Sequence, residues 1–172
     1  MNLRLRVLPI IVLGCFLCGC AMSEPFVAEN LAGSYDIADA RNTACILYYP
    51  SLFKETLVKD LVRDLNAIAI NVAVDDINNG GLHPAAHYDV VILLSGCKAG
   101  ATLPLAPAYI KANGYASNIV YFSAYTLWAI PYSADAPKGK VDAITAASSK
   151  GTKAIQATER NILVITLKKI GR

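Results

Sequence analysis

The chain is poor in charged side chains and in the residue types that many enzymes use for catalysis. Only 17% of its 172 residues are charged, and it has two histidines and one tryptophan. It contains no serine elbow of the hydrolase type, no glycine-rich nucleotide loop and no pair of carboxylates in a pattern typical of acid–base catalysis. These absences argue against the common hydrolases and nucleotide-dependent enzymes.

The chain also lacks a basic excess outside its first residues. It has 16 basic and 13 acidic residues, and Arg4 and Arg6 are among the basic ones. The sequence after residue 19 is therefore close to neutral, with 14 basic and 13 acidic residues. A nucleic-acid-binding domain needs a basic patch, so we do not expect nucleic acid as a partner.

A metal site is not predicted either. His83 and His87 are four residues apart, but Pro84 lies between them and an Asn-Asn-Gly-Gly run precedes them. These residues indicate a loop, so the two histidines are not available as a helical pair of ligands. Asp75 and Asp76 are interpreted as solvent-exposed loop acids.

The N-terminus carries a targeting segment. Arg4 and Arg6 precede an apolar run over residues 7–17, and the run closes with Leu-Cys-Gly-Cys at residues 17–20. A spanning helix needs about 20 apolar residues, so this run predicts a secretory signal instead. The alternatives are an ordinary signal peptide that is cut nearby and an uncleaved anchor.

The last four residues of the run resemble the lipobox of bacterial lipoproteins. The resemblance implies that residues 1–19 are removed and that Cys20 is acylated and inserts into a lipid bilayer. It also implies a cell-envelope location for the protein. Ala21 stands where the family's inner-membrane retention signal has Asp, which favours the periplasmic face of the outer membrane if the organism has two membranes. Residues 20–41 are then the lipidated N-terminus and a tether.

Strand and helix patterns alternate after the tether. Continuous apolar runs are typical of strands that are buried on both faces, and a repeat of 3.6 residues is typical of helices. The alternation predicts an α/β fold, a three-layer αβα sandwich around a five-stranded parallel sheet. The predicted strands are 43–49, 68–74, 88–94, 118–125 and 141–145, and the predicted helices are 55–66, 108–113 and 152–169.

Three segments are similar to flavodoxin-like domains. Residues 45–49 (CILYY) lead into a polar loop and an amphipathic helix, residues 88–96 (YDVVILLSG) form a third strand, and residues 141–148 (VDAITAAS) precede a final helix. The resemblance covers about residues 43–170 and gives a domain over 42–172. It implies strand order 2-1-3-4-5, with FMN at the carboxyl ends of the strands.

The predicted phosphate loop departs from the family pattern. Flavodoxin-like domains have a Ser/Thr-x-Thr-Gly-x-Thr loop, whose backbone N–H groups surround the phosphate. Here residues 50–56 read PSLFKET, in which Ser51 and Thr56 offer hydroxyls and Lys54 offers a positive charge. The glycine is missing, two bulky apolar residues replace small ones, and Glu55 would repel a phosphate. This degenerate loop has either kept a weaker site or lost it.

Two further loops would flank a flavin ring. Ser95 and Gly96 follow the third strand, and the aromatic residues Tyr125, Trp128 and Tyr132 follow the fourth. The resemblance implies that one of these aromatic rings stacks on the flavin. The alternative is that Trp128 and Tyr132 cover the edge of the sheet as packing residues.

Two functions follow from these patterns. The first is a membrane-anchored lipoprotein that binds FMN and transfers electrons to a redox partner in the cell envelope. The second is a cofactor-free lipoprotein that keeps the fold as an interaction or structural module for a scaffold protein. The fold alone does not choose between them.

The two cysteines outside the targeting segment are predicted to be free thiols. Cys45 lies near the start of the first strand and Cys97 lies beyond the end of the third. If these strands are parallel neighbours, the two residues are well over about 10 Å apart at ~3.3 Å per residue. A disulfide needs Cα atoms within about 7 Å.

Overall fold

A computed structural model describes residues 29–98, 101–125, 142–147 and 152–171. The predicted signal peptide and Cys20 lie outside these residues. Strands and helices alternate along the described chain, and the fold class is α/β as predicted. The strands are β1 (Gly33–Tyr35), β2 (Asn42–Tyr48), β3 (Ile70–Asp76), β4 (Val90–Lys98), β5 (Ala101–Thr102), β6 (Ile119–Tyr125) and β7 (Asp142–Ala147), and the helices are α1 (Leu52–Ala67), α2 (Leu105–Ala112) and α3 (Thr152–Lys169).

The main sheet is mixed, so the prediction of a purely parallel five-stranded sheet is wrong. Its order is β1-β3-β2-β4-β6-β7, and β5 pairs with β4. The expected order 2-1-3-4-5 describes only the five parallel strands and not the whole sheet. The strand β1 adds to β3 in the antiparallel direction, and β5 returns antiparallel beside β4. Neither short strand has the apolar run from which the other five were predicted.

Both faces of the sheet are covered. The helices α1 and α3 pack on one face, where Leu57, Leu61 and Ile162 are fully buried. The other face is covered by α2, which contributes Tyr109, and by short 3-10 helices at residues 77–82 and 85–87. The connection from β3 to β4 therefore contains no α-helix. Burial on both faces explains why the parallel strands read as continuous apolar runs.

The described part of the predicted tether packs against the domain. The Glu29 N–H donates to Glu55 Oε1 of α1 at 3.2 Å, and the Tyr48 hydroxyl donates to the Glu29 carbonyl at 3.3 Å. Leu31 is buried in the core beside α1, and Tyr35 ends β1. The chain from Glu29 onward is thus held on α1 and on the edge of the sheet.

Cys45 is a free, buried thiol, as predicted. It lies opposite Val91 in the parallel pairing of β2 with β4, and Cys97 is six residues further along β4. At about 3.3 Å per residue this places the two backbones roughly 20 Å apart. The register therefore does not allow a disulfide between them.

No helix among residues 29–98, 101–125, 142–147 and 152–171 combines the length and apolar character that a membrane span requires.

Candidate functional site

The candidate site lies at the carboxyl edge of the sheet, beside β2. The strand order reverses there, because β2 is followed by β3 on one side and later by β4 on the other. Ligands of open α/β sheets bind outside the carboxyl ends of the strands at such a point. Tyr49, Pro50 and Ser51 connect β2 to α1, and Gly96 lies near the end of β4. We call Tyr49, Ser51, Lys54 and Gly96 the carboxyl-edge site.

The predicted phosphate loop over residues 50–56 is wrong in its extent, because α1 begins at Leu52. Ser51 is the N-cap of this helix, and its hydroxyl accepts the Lys54 N–H at 3.4 Å. Thr56 is already inside the helix, where its hydroxyl donates to the Leu52 carbonyl at 3.0 Å. Both predicted hydroxyl ligands therefore serve the helix itself.

The backbone of this connection does not provide a phosphate cradle of the flavodoxin type. The Tyr49 N–H donates to the Leu94 carbonyl at 3.0 Å, and Pro50 has no N–H. The Lys54 and Glu55 N–H groups donate to the side chain and the carbonyl of Ser51. With no glycine in the turn, the chain cannot direct successive free N–H groups at one anion. FMN held by a backbone loop does not fit these residues.

Glu55 adds a negative charge to the first turn of α1. Its side chain is buried, and it accepts the Glu29 N–H at 3.2 Å. A carboxylate in the first turn is stabilised by the positive end of the helix dipole. The same charge disfavours a second anion at the helix N-terminus.

Lys54 is the group at this edge that favours an anion. Its residue is 5% exposed, and none of the described acidic side chains forms an ion pair with it. Its Nζ lies 5.3 Å from the centre of the Tyr49 ring, which is 39% exposed. Burial lowers the pKa of Lys54 to about 8. A buried ammonium without a carboxylate is costly, and an anionic ligand would stabilise it.

Gly96 leaves space beside this ammonium. A Cβ added at Gly96 would lie 3.5 Å from Lys54 Nζ and 3.5 Å from the Ala124 carbonyl oxygen. These are ordinary van der Waals distances, so the fold does not require glycine at this position. The predicted residues Lys54 and Gly96 are thus brought together.

Ser95 lies on the opposite face of β4. Val91 and Leu93 face the core on the α2 side, and strand alternation places Ser95 on that side too. Its hydroxyl is buried and has no hydrogen-bond partner among the described residues. Ser95 pairs in register with Ser123 of β6. It is therefore not part of the carboxyl-edge site, although the sequence placed it beside Gly96.

The aromatic predictions are only partly covered by the structure. Tyr125 is the last residue of β6 and pairs in register with Ala147 of β7. Trp128 and Tyr132 lie outside the described residues. The aromatic ring that the structure does place at the edge is Tyr49, which the sequence had assigned to a strand. The sequence feature that could have identified Tyr49 as an edge residue is its position directly before Pro50, at the end of the apolar run.

A second polar cluster was missed by the sequence analysis. His83 Nε2 lies 3.0 Å from Asp75 Oδ2, and His83 Nδ1 lies 2.8 Å from the Tyr88 hydroxyl. Burial raises the pKa of Asp75, but hydrogen bonds from Asn79, His83 and the Asp76 N–H outweigh it and lower the pKa overall. The interpretation of Asp75 as a solvent-exposed loop acid is wrong, because Asp75 lies in β3 and its side chain is only 17% exposed.

The cluster ends at a thiol that is not reactive. The Tyr88 side chain shares a hydrogen bond with Cys45, and burial raises the pKa of the Cys45 thiol to about 12. A thiolate is the nucleophilic form of cysteine, so this thiol is inert at neutral pH. We assign Asp75, His83 and Tyr88 to holding the 3-10 turns of residues 77–87 against the sheet. No three His, Cys, Asp or Glu side chains of the described residues form a group suited to a metal ion.

We expect His83→Phe to lower the free energy of unfolding by about 2 kcal/mol, because it removes the hydrogen bonds of the imidazole to the half-buried Asp75 carboxylate and Tyr88 hydroxyl. Urea unfolding followed by circular dichroism measures this change. His87→Phe is the matched control, since His87 is exposed, and it should change stability by less than about 0.5 kcal/mol. Equal effects of the two substitutions would contradict the assignment.

We expect Ser51→Ala to lower the free energy of unfolding by about 1 kcal/mol, the usual effect of losing an N-cap side chain. Thr56→Ala should change it by less than about 0.5 kcal/mol, because the Thr56 hydroxyl only bonds back to its own helix. The same urea titration measures both variants. A larger loss for Thr56→Ala than for Ser51→Ala would show that Ser51 is not the cap.

No family model and no curated protein matches this chain. Solved structures do match it. A flavodoxin from the domain Archaea is 12% identical, with a TM-score of 0.54 over 74% of this chain and 98% of the other. The flavodoxin of Megasphaera elsdenii, in its two-electron reduced state, is 14% identical, with a TM-score of 0.50 over 69% of this chain and 97% of the other.

A flavo-di-iron protein from Thermotoga maritima is similar as well. It is 14% identical, with a TM-score of 0.57 over 75% of this chain. The match spans 36% of that longer protein. Together these likenesses show that the chain has a flavodoxin-like α/β fold. At such low identity they show the fold alone, and the ligand must be argued from the site.

Proposed function

We propose that this protein is a lipoprotein of the cell envelope whose flavodoxin-like domain binds an anionic ligand of the FMN class at the carboxyl-edge site. The lipid anchor is Cys20, and the outer membrane's periplasmic face is its place if the organism has two membranes. When bound, FMN supplies the electron-transfer chemistry. A redox protein of the envelope is then the expected partner.

The observation that carries this proposal is the buried ammonium of Lys54, which forms no ion pair with the acidic side chains that the structure describes. It is buried at the point of the sheet where ligands of this fold class bind, and Gly96 leaves room beside it. A phosphate placed there would gain a charge-assisted hydrogen bond from Nζ. The half-exposed ring of Tyr49 offers a flat surface at the same edge.

Binding is expected to be weak, because Lys54 replaces a whole backbone cradle. One charged hydrogen bond contributes about 1.5–3 kcal/mol, less than the several N–H donors of a phosphate loop. We therefore expect a dissociation constant in the micromolar range, which corresponds to about −8 kcal/mol or weaker.

The second candidate is a cofactor-free interaction module that binds a scaffold protein. The specific observation in its favour is that the N–H groups of Tyr49, Lys54 and Glu55 already have intramolecular acceptors. The buried carboxylate of Glu55 in the first turn of α1 also favours it.

A fluorescence titration separates the two candidates. FMN at a fixed low concentration is titrated with the processed protein, and riboflavin, which lacks the phosphate, is titrated in parallel. The proposal predicts saturable quenching of FMN and at least about tenfold weaker binding of riboflavin. No FMN binding at high micromolar protein would contradict the proposal and favour the cofactor-free module. Equal affinity for both flavins would show that Lys54 does not bind the phosphate group of FMN.

The anchor is tested separately. Intact-mass measurement of the mature protein should show a chain that begins at Cys20 and carries acyl groups. Cys20→Ser should abolish both the processing and the recovery of the protein with membranes. An unmodified chain that begins at another residue would contradict the lipoprotein assignment and leave the flavin test unaffected.

A further inference from the structure

The exposed face of α3 carries positive charge that nothing in the described structure neutralises. Lys153, Arg160 and Lys168 are all exposed. Their spacing of seven and eight residues puts them on one stripe of the helix, together with Ala157 and Val164. Val164 is 60% exposed. None of the three basic side chains takes part in an ion pair between described residues.

The neighbouring helix α1 differs, because its exposed cations are paired, whereas its remaining cation, Lys54, is buried. Lys59 Nζ lies 2.5 Å from Glu29 Oε2. The guanidinium of Arg63 contacts Asp60, Asp64 and Glu159. Glu159 is the sole acidic residue of α3, and it is buried toward α1. Among the described residues, the exposed uncompensated charge of the α1 and α3 helices is therefore confined to the α3 stripe.

The chain that leads to the proposed anchor reaches the same layer. Glu29 and Leu31 pack on α1, and α1 and α3 cover the same face of the sheet. Nine residue steps separate Glu29 from Cys20, which span at most about 30 Å when fully extended. A domain held this closely to a bilayer can bring its α1–α3 layer onto the membrane surface.

We propose that the stripe formed by Lys153, Arg160 and Lys168 binds the anionic headgroups of phospholipids. This inference rests on the proposed lipid anchor. Each basic side chain near an anionic surface adds attraction of about a factor of five in binding, and exposed apolar residues such as Val164 are common on helices that lie on membranes. At the end of α3, Lys169 contacts Asp142 and Ser117, which lie at the amino ends of β7 and β6. The contact with lipid therefore leaves the carboxyl edge of the sheet exposed.

Lysine footprinting on vesicles tests the contact without any substitution. The mature lipidated protein is reconstituted on phosphatidylcholine vesicles and on vesicles that also contain phosphatidylglycerol, and lysines are acetylated and quantified by mass spectrometry. Lys153 and Lys168 should label about fivefold more slowly on the anionic vesicles, and 0.5 M salt should restore their labelling. Lys111 of α2 is exposed on the opposite layer and is the internal control, so its labelling should not change.

The possible outcomes distinguish a failure of the α3 lipid contact from a failure of the proposed lipid anchor. Unchanged labelling of Lys153 and Lys168 on protein that floats with both kinds of vesicle would overturn the lipid contact alone. Failure to float with phosphatidylcholine vesicles would overturn both the anchor and this inference. Protection without lipid that grows with protein concentration would identify a second copy of the chain as the occupant and overturn the proposal. As a second measurement, Lys153 should lose its salt-dependent protection on anionic vesicles in an Arg160→Gln, Lys168→Gln variant.

Discussion

Lys54→Met should stabilise the ligand-free domain at pH 7 and, at the same time, weaken FMN binding. The folded-state pKa of about 8 lies below the ordinary 10.5, so burial of this ammonium opposes folding. One pKa unit corresponds to about 1.4 kcal/mol, and we expect the variant to gain about 2 kcal/mol in free energy of unfolding. Met keeps an unbranched stem of similar length in the same space.

The pH dependence of the free energy of unfolding tests independently whether the charge of Lys54 opposes folding. The unfolded chain holds the Lys54 proton up to about pH 10.5, whereas the folded chain releases it near pH 8. The stability of the unliganded wild type should therefore rise between pH 8 and pH 10.5 relative to the variant. Urea unfolding at pH 7, 8.5 and 10 measures the difference.

The matched control is Lys59→Met on the same helix. Lys59 is exposed and paired with Glu29, so its substitution should not stabilise the domain and should leave FMN binding unchanged. The FMN affinity of Lys54→Met should fall by about tenfold or more, which corresponds to the loss of one charged hydrogen bond. A destabilised Lys54→Met with unchanged FMN affinity would show that Lys54 is a packing residue.

Glu159→Gln should stabilise the protein above pH 7 and change little at pH 4.5. Glu159 is 6% exposed where α3 meets α1. Its pKa is raised to about 7, first by burial and then by a hydrogen bond with Asp64 and the charges of Asp64 and Asp60, while the charge of Arg63 opposes the rise. The hydrogen bond from Arg63 lowers the pKa of Asp64, so the shared proton resides on Glu159.

The direction of this pH dependence follows from how tightly the folded and unfolded chains bind the Glu159 proton. The folded chain holds the Glu159 proton more tightly than the unfolded chain does, so this stabilising contribution is present below pH 4.5 and is lost as the pH rises through 7. The neutral amide of glutamine keeps a hydrogen-bond donor for Asp64 without the charge. We expect a gain of about 2 kcal/mol at pH 8 relative to wild type.

Thermal unfolding of both proteins between pH 4.5 and pH 8.5 measures this effect. Arg160→Gln is the control, because it alters the charge of the same helix by one unit on its exposed face. The difference between Arg160→Gln and wild type should not depend on pH in this range. A wild-type protein whose stability rises between pH 5 and pH 8 relative to Glu159→Gln would contradict the account.

The sequence predicted the parts of the fold that depend on apolar patterning. The bounds of α3 match the prediction, and the five parallel strands agree to within a few residues. Apolar patterning could not reveal β1, because the three residues Gly33–Tyr35 are too few to show a strand pattern. This strand depends on its pairing with β3. The start of α1 was also predicted too late, because residues 50–56 were assigned to a phosphate loop, whereas Ser51 caps the helix and Phe53 already belongs to its buried face.

The site was harder to predict than the fold, since it depends on three-dimensional partners. A resemblance to flavodoxin-like domains identified Lys54 and Gly96, and the structure places them side by side. It also suggested Ser95, which strand alternation turns to the other face. The contact of Asp75 with His83 spans eight residues of irregular chain, so no periodic pattern could indicate it.

The most direct test of the central claim is the pKa of the Lys54 amine, measured by NMR of the 15N-labelled protein with and without FMN. We expect a pKa near 8 in the free protein and a clear rise when FMN binds, because an anion beside Nζ favours its charged form. A pKa near 10.5 in the free protein, or a value that FMN at saturating concentration leaves unchanged, would contradict the claim.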